Sequence, residues 1–302
     1  MDPLPTIKPN KDTSFALMLA AHKRGHSVFF LGNTNLYYAN QGIQFRVNRV
    51  VPIDRSENPF EVFPEQHLGQ DAVDVVFIRT DPPFDDRYLM NTWLLDRLPD
   101  RVKVVNNPTG VRTVNEKLWA LQFTDLIPET TVTCKKAVYA DFLAHHKTII
   151  AKPTGGYGGS AVFKVQQGET NASVIFESLS AGETQEVILQ PYIPEADIGD
   201  KRILLLNGEP LGAVLRVHAP GEHRNNFFAG GHPEPVGITP RDWEIIKTLK
   251  PKLLELGLYF VGIDVIGDYL IEVNVTSPTC IREMEAISGE DLAGRVVDAL
   301  TI

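Results

Sequence analysis

The string Lys152-Pro153-Thr154-Gly155-Gly156-Tyr157-Gly158-Gly159-Ser160 is the sharpest local pattern in the chain. Four glycines in the five positions 155 to 159 are costly to order, and they are expected where backbone N–H groups must close tightly on a ligand. Exposed amides beside a lysine suit phosphate. The residue order excludes a P-loop, which places Lys-Ser/Thr after its last glycine and then a helix; here the lysine comes first and a strand is expected to follow. The same string also describes a glycine-rich hairpin tip, so alone it leaves both readings open.

A second pattern is Asp264, followed on the next strand of an expected hairpin by Glu272 and Asn274. Residues i and i+2 of a strand project to the same side, roughly 6 to 7 Å apart, so a carboxylate and an amide oxygen can share a hard cation. Magnesium is the natural choice, with an exposed polar strand face as the alternative. The context favours a site: Asn274 leads into Val275-Thr276-Ser277-Pro278-Thr279-Cys280-Ile281-Arg282-Glu283, rich in short hydroxyls and carrying an arginine suited to a carboxylate.

Isolated cations come third: Lys117, Lys201, Arg202 and Arg216. Arg216 ends the apolar run Ala213-Val214-Leu215, so its charged head must reach solvent or an anion. The stretch from His218 to His232 has glycines toward both ends and a basic middle that includes Arg224, which reads as a lid loop or as a surface excursion. The histidines lack zinc-site spacing: His145 and His146 are adjacent rather than three to five residues apart. Cys280 carries no histidine signature, so packing or substrate contact is expected of it rather than nucleophilic chemistry.

These residues need elements to hold them. Asp12-Thr13 offers an N-cap for a helix that stops near Gly25. Strands are expected at Val28 to Leu31, Ala72 to Arg79 and Val102 to Val105, with a helix over Asp86 to Leu98. That alternation predicts a parallel sheet with functional loops at its carboxyl ends, where Arg79-Thr80-Asp81 and Asn106-Asn107 lie. From residue 111 the order changes to helix 111 to 123, strand Thr130 to Thr133, helix 138 to 146, strand Thr148 to Lys152 and strand Ala161 to Val165, an α+β pattern. Asn207-Gly208 is a favoured type I′ turn between two strands. Thr239-Pro240-Arg241-Asp242 opens a helix that Gly257 ends, and Gly267-Asp268 turns a second hairpin. On its last strand Ile271, Val273 and Val275 are expected on one face and Glu272 and Asn274 on the other. The fold class expected is an α/β amino-terminal domain with a parallel sheet over residues 1–110, then an α+β domain with largely antiparallel sheets over 111–302, divided near residue 190.

Length and charge narrow the function classes. At 302 residues the chain can form two domains without staples. Its 29 Lys plus Arg against 38 Asp plus Glu disfavour nonspecific nucleic-acid binding. The apolar runs are strand-sized, far short of the roughly 20 residues that cross a bilayer, so no membrane partner is expected. The amino terminus carries acid and prolines where a secretory signal would be basic and then apolar, which makes a cytoplasmic location the expectation. Two cysteines, Cys134 and Cys280, supply neither a disulfide framework nor a four-thiolate zinc site.

Asn115-Glu116-Lys117, the lysine-led glycine loop, Asp200-Lys201-Arg202, Gly262-Ile263-Asp264-Val265-Ile266-Gly267 and the run from Ile271 to Glu283 together resemble the ATP-grasp ligases. More narrowly, the chain resembles the bacterial glutathione synthetases over nearly its whole length, including Met1-Asp2-Pro3, Lys11-Asp12-Thr13-Ser14-Phe15 and Arg79-Thr80-Asp81-Pro82-Pro83-Phe84-Asp85. The resemblance implies ligation of γ-glutamylcysteine to glycine through an acyl phosphate, with ATP as co-substrate. It implies that Lys117 and Lys152 hold ATP phosphates, that Gly155, Gly156, Tyr157, Gly158 and Gly159 cover them, and that Gln190, Tyr192 and Ile193 border adenine. Arg202 and Arg216 would stabilise developing charge. Arg79, Asp81, Arg224, Ser277, Pro278, Thr279 and Arg282 would hold substrate, and Asp264, Glu272 and Asn274 would hold two magnesium ions, with manganese as a substitute. A homotetramer is implied as well.

The chain departs from the family pattern in three places. The family's first strand precedes Met-Asp-Pro, so the resemblance implies an amino-terminal sheet lacking that strand. Gly155 stands where Asp is usual, and Asn225 stands where Gly is usual; Asn tolerates left-handed backbone, so altered lid kinetics are expected rather than lost activity. Two other readings stay open on the sequence: a ligase of the same superfamily joining a different acid and amine, and a nucleotide-binding protein without turnover.

Overall fold

The computed structural model describes residues 1–156, 158–219, 225 and 230–301 of the chain. Helix α1, Thr13–Lys23, starts where Asp12 accepts a hydrogen bond from the Phe15 N–H at 2.8 Å and stops before Gly25, whose φ is +85°. Strand β1 (Val28–Ala39) then turns through Asn40 and Gln41, both at positive φ, into β2 (Gly42–Pro52), and β3 (Phe60–Gly69) follows. These three form an antiparallel sheet in the order β1-β2-β3. The sequence reading places only Val28 to Leu31 here, as part of a parallel sheet. The strand is instead 12 residues long and belongs to a meander, in which Ile43, Phe45 and Val47 alternate inward.

The parallel sheet itself is small. It pairs β4 (Val75–Phe77) with β5 (Lys103–Val105), joined by helix α2 (Asp86–Leu95), which Asp85 caps through the Tyr88 N–H. The expected strand from Ala72 to Arg79 shrinks to those three residues, leaving Arg79 to Asp85 as irregular backbone at the strand's carboxyl end. Helix α3 (Pro108–Thr113), capped by Asn107, ends well short of the expected residue 123, and a 3-10 turn at Trp119–Gln122 is all that follows. The break has a local cause. Asn115 Oδ1 accepts from the N–H groups of Lys117 and Leu118 at 3.1 and 3.0 Å, an Asx turn that competes with the helix.

Strand β6 (Thr131–Thr133), helix α4 (Lys136–His146), strands β7 (Thr148–Pro153) and β8 (Phe163–Gln166), helix α5 (Ala172–Leu179) and strand β9 (Val187–Pro191) form the next unit. Its antiparallel sheet runs β6-β9-β7-β8, and Tyr139 and Phe176 stack at 4.5 Å between the two helices that cover it.

The largest sheet has five strands in the order β12-β11-β10-β13-β14, all antiparallel. Strands β10 (Asp200–Leu206) and β11 (Glu209–Val217) meet at Asn207 (φ +53°) and Gly208 (φ +73°), the positive values a type I′ turn requires. Strand β12 (His232–Pro235) adds an edge, so His232 is a strand residue rather than part of a loop. Helix α6 (Pro240–Glu255) opens on a complete capping box between Thr239 and Asp242. Strands β13 (Phe260–Ile266) and β14 (Tyr269–Asn274) complete the sheet, and α7 (Ile281–Ser288) and α8 (Leu292–Leu300), neither anticipated from the sequence, close the chain. Period-two alternation gives this sheet two apolar faces. Ile203, Leu205, Val261, Ile263 and Val265 pack with α6, while Leu204 and Phe260 pack with α1, α7 and α8. No described helix is long and apolar enough to cross a membrane.

Candidate active site

One end of the five-stranded sheet carries charge where the rest carries hydrocarbon. In register, Asp200 on β10 faces Arg216 on β11, Arg202 faces Asp264 on β13, and Asp264 faces Glu272 on β14, with Asn274 opposite Gly262. Four adjacent strands therefore present a continuous polar band, and all six side chains line one cleft. Arg202 holds Asp264 bidentately, through Nε and through Nη2 at 2.9 Å. Arg216 bridges the two acids, meeting Asp200 at 2.6 and 2.7 Å and Asp264 at 3.0 Å. Burial alone would raise the Asp264 pKa, but the two guanidinium groups more than reverse this and hold the carboxyl below the ordinary range.

Two local features build this band. Gly262 lies between Arg202 and Pro278: a Cβ there would come 3.2 Å from Arg202 Cδ and 3.1 Å from Pro278 Cβ, so only glycine lets the guanidinium lie across the strand without displacement. A bulge in β14 carries the second. Asp264 pairs with Glu272 but Val265 pairs with Leu270, leaving Ile271 as the extra residue. The sequence reading puts Ile271 on the core face. The bulge gives that place to Leu270, which is fully buried among the core residues, and turns Ile271 into the cleft beside Glu272 and Asn274.

The glycine loop faces the band from the four-stranded sheet. Lys152, at the end of β7, is buried, which lowers its pKa, with Glu272 opposing the shift. Lys117 donates to the Gly156 carbonyl at 2.7 Å and lies 3.6 Å from Glu272 Oε1. Gly156, Gly158 and Gly159 all take positive φ and line the cleft or its loop. Gly155 does not, and a Cβ on it would meet nothing within 4 Å, so the Asp usual in the resembled family would fit there. Gln190 is buried and donates from Nε2 to Thr130 Oγ1 at 2.9 Å, while Tyr192 lies under Lys164 Nζ at 3.4 Å from its ring centroid. Both border the cleft with Ile193.

A second recess, about 770 Å³, opens beside the amino-terminal sheet and shares Asp81, Pro82, Ser277 and Thr279 with the first. Arg79 reaches into it, almost wholly buried, with Nε donating to Ser14 Oγ at 3.0 Å. Its Nη1 is buried and makes no hydrogen bond among the described residues. Burial lowers this guanidinium's pKa, an arrangement that an anion would relieve. Pro278 packs on Gly262 behind the band. Arg282 is turned away: it donates to Pro9 O at 3.0 Å and Asp54 at 2.7 Å, and its guanidinium lies 5.6 Å from the Phe15 ring. Tyr157 and Arg224, and most of the expected lid from His218 to His232, lie outside the described residues. Asn225 is described: it is buried, lacks the positive φ that its replacement of glycine anticipates, and instead ties His218 N–H (3.2 Å) to the Ala196 carbonyl (2.8 Å).

Three groups escaped the reading as individual site residues. Asp200 partners Arg216, Glu116 accepts from Val275 and Thr276, and Ile271 is exposed to the cleft by the bulge. The first two had only their place in short charged tripeptides as a signal. For a divalent cation, Asp264, Glu272 and Asn274 offer oxygen donors without thiolate or imidazole, the set a hard ion takes. Asn274 Nδ2 stands 3.4 Å from Asp264 Oδ2, and Asp264 pairs with Glu272 across the two strands, so the three side chains converge; a cation there shares the Asp264 carboxylate with the two guanidinium groups. The residues fit magnesium.

The comparisons agree along the chain. Residues 1–112 match the prokaryotic glutathione synthetase N-terminal domain, and residues 116–289 match the prokaryotic glutathione synthetase ATP-grasp domain. Glutathione synthetase of Escherichia coli K12 is 41% identical over 99% of this chain and 96% of its own length. That of Pseudomonas putida KT2440 is 41% identical over 99% and 95%. Among solved structures, the ATP-grasp ligase PsnB with a minimal precursor variant, Mg and ADP superposes with a TM-score of 0.63 at 17% identity, covering 97% of this chain and 95% of that one. The macrocyclase MdnC from Microcystis aeruginosa, bound to its precursor peptide MdnA, gives 0.62 at 15% identity, covering 95% of each chain. Those two establish the ATP-grasp fold; the family models and the curated relatives go further, and the chain belongs to the prokaryotic glutathione synthetases.

Proposed function

We propose that the chain ligates γ-glutamylcysteine to glycine, cleaving ATP to ADP and phosphate. One observation carries the reading: the band from Arg216 to Asn274, spanning four adjacent strands, faces a lysine-led glycine loop in a chain similar over 99% of its length to a glutathione synthetase. A carboxylate is a poor electrophile. The cysteinyl carboxylate oxygen therefore first bonds to the γ-phosphorus as the β,γ-bridging bond breaks, releasing ADP and leaving an acyl phosphate. The glycine amine then attacks the acyl carbon, loses a proton, and expels phosphate as the amide forms.

Each group of residues has a task in that sequence. Lys117 and Lys152 hold ATP phosphates, and the loop from Gly155 to Gly159, with Tyr157, covers them. Gln190, Tyr192 and Ile193 border adenine. Arg202 and Arg216 stabilise charge on the transferring phosphoryl group and on the tetrahedral intermediate, held in place beforehand by Asp200 and Asp264. Arg79, with its unpaired buried Nη1, receives a substrate carboxylate in the second recess, where Asp81, Ser277 and Thr279 sit at the junction between acid and nucleotide. Arg224 belongs to the same substrate set. Arg282 acts through α1 and the segment around Asp54 rather than by direct contact, and Pro278 supports Gly262. Asp264, Glu272 and Asn274 hold two magnesium ions, for which manganese substitutes; the metal neutralises phosphate charge when bound. We further propose division of the chain near residues 110 and 190, a homotetramer and a cytoplasmic location, the first from the separate sheets and the others from the family.

The test is incubation with ATP, magnesium, γ-glutamylcysteine and glycine, following ADP and product mass with each substrate omitted in turn. Tripeptide that requires all three substrates is expected. ADP release with a different acid or amine would assign another ligation, and nucleotide-dependent thermal stabilisation without ADP release would mean binding without turnover.

A further inference from the structure

The structure assigns a second metal site, outside the lining of the cleft, to Glu129, His145 and His146. Consecutive residues diverge on a regular helix, which is why their spacing argues against zinc. These two, however, occupy the last turn of α4, and the ring centroids of His145 and His146 lie 4.6 Å apart, edge to face. Glu129 approaches from the segment before β6. One donor atom from each of the three falls within 4.8 Å of the others.

The contact between His146 and Glu129 identifies what the cluster is shaped for. His146 Nε2 lies 3.4 Å from Glu129 Oε1, yet this nitrogen is buried and makes no hydrogen bond among the described residues. At that separation the pair is beyond the usual N–H···O range of about 2.7–3.2 Å. It matches the donor-to-donor edge of a tetrahedral ion, which bonds of about 2.1 Å set near 3.4 Å. A buried imidazole nitrogen that makes no hydrogen bond is costly, and a cation between it and Glu129 would satisfy both. The position also favours positive charge, since the carbonyl end of α4 adds negative potential there. Two imidazoles and one carboxylate form the donor set of borderline ions such as zinc, and magnesium's preference for an all-oxygen shell excludes it from this site. The remaining coordination position faces solvent, as His145 and Glu129 are exposed.

The test uses the full chain, stripped with chelator and titrated in excess magnesium so that the cleft is not a competitor. Zinc is followed by calorimetry and cobalt by visible absorption. We expect one zinc per chain, and a cobalt spectrum of tetrahedral or five-coordinate type without a thiolate charge-transfer band. His145→Ala and Glu129→Gln should each weaken zinc by at least about tenfold, the loss that even an outer-shell partner brings. Both variants should keep wild-type far-UV circular dichroism and magnesium-supported ligation in zinc-free buffer. Wild-type-like zinc affinity in both variants would overturn the site, as would a thiolate band from Cys134 or Cys280, or no uptake below millimolar zinc.

Discussion

Glu116 and Thr276 are joined twice through one carboxylate oxygen: Oε1 accepts the Thr276 N–H at 3.0 Å and its hydroxyl at 2.8 Å, and the Val275 N–H adds a third bond at 2.8 Å. On either side of Glu116, Asn115 donates to the Thr154 carbonyl at 3.2 Å and Lys117 to the Gly156 carbonyl at 2.7 Å. Three consecutive residues thus tie the glycine loop to the start of the hydroxyl-rich loop, which brings the proposed ATP side and the proposed acid side of the cleft into one framework. The broken helix at 114–118 is what makes this possible, because a continuous helix would spend those backbone groups on itself.

Removing that carboxylate should therefore act on both sides at once. Burial raises the Glu116 pKa against the Thr276 and Val275 hydrogen bonds, so a neutral acceptor is tolerated there. We expect Glu116→Gln to fold with little loss, whereas Glu116→Ala strands two backbone N–H groups and should cost on the order of 2–3 kcal/mol in urea unfolding. Its kcat/KM should fall at least about tenfold for ATP and for the dipeptide alike. A fall confined to one substrate would break the proposed linkage.

Arg202 is expected to serve both stability and rate. Its bidentate pair with Asp264 is buried, and truncating it leaves a carboxylate with Arg216 alone. For Arg202→Ala we expect about 3–5 kcal/mol of destabilisation, the cost of an uncompensated buried charge. The ligation rate should drop by roughly 10²–10³, as for the loss of one fixed donor at a developing negative charge. The variant Arg202→Lys separates the two effects: a positive charge stays beside Asp264, so stability should partly return, while the rate stays low because the planar two-pronged donor is lost. Recovery of both would reduce Arg202 to a counter-ion.

How much of this was legible beforehand depends on range. The turns were: Asn207-Gly208, the Thr239 capping box and Gly257 all follow from local chemistry that the rest of the fold does not override. The polar pair Glu272 and Asn274 was legible because alternation survives at the end of β14. One residue earlier it failed, since the bulge at Ile271 is fixed by pairing with β13 and leaves no mark in the sequence of β14. The amino-terminal meander was missed for another reason. Strand β3 is a half-exposed edge whose polar residues, such as Glu61, Glu65 and Gln66, do not read as a strand in isolation. Asp200 and Glu116 acquire meaning only from partners 16 and 160 residues away, which spacing within a motif cannot reveal.

Cys280 should be silent at neutral pH. Its side chain is buried at a positive φ of 94°, and burial raises the thiol pKa, with Arg202 and Arg216 opposing. Alkylation requires thiolate, so iodoacetamide at pH 7 should label the half-buried Cys134 and leave Cys280 unmodified until the chain is unfolded. The sign of the linked effect is fixed. A folded thiol that keeps its proton to higher pH than the unfolded one, near 8.5, makes the protein lose stability as pH climbs above that value. Cys280→Ala should flatten this alkaline slope. Peptide mapping after labelling and urea titrations between pH 7 and 10 check both statements, and rapid native labelling at Cys280 would refute them.

The bulge gives the last expectation. Ile271 stands in the cleft with Ile150, Val162, Ile193 and Ile266, an apolar patch beside the polar band and next to Gln190. A purine needs such a surface for its faces and Gln190 or nearby backbone for its edge. Ile271→Ala removes three carbons from that surface at about 0.8 kcal/mol per buried methylene. Because the side chain is only half buried without ligand, we expect about 1–2 kcal/mol, or a five- to thirtyfold rise in KM for ATP. The contact is the same in ground and transition states, so kcat at saturating ATP should hold. Leu270, displaced to the core by the same bulge, supplies the control: Leu270→Ala should instead cost about 2–5 kcal/mol of stability and leave KM for ATP close to wild type. If the two variants exchanged these phenotypes, the register of β14 would be that of plain alternation.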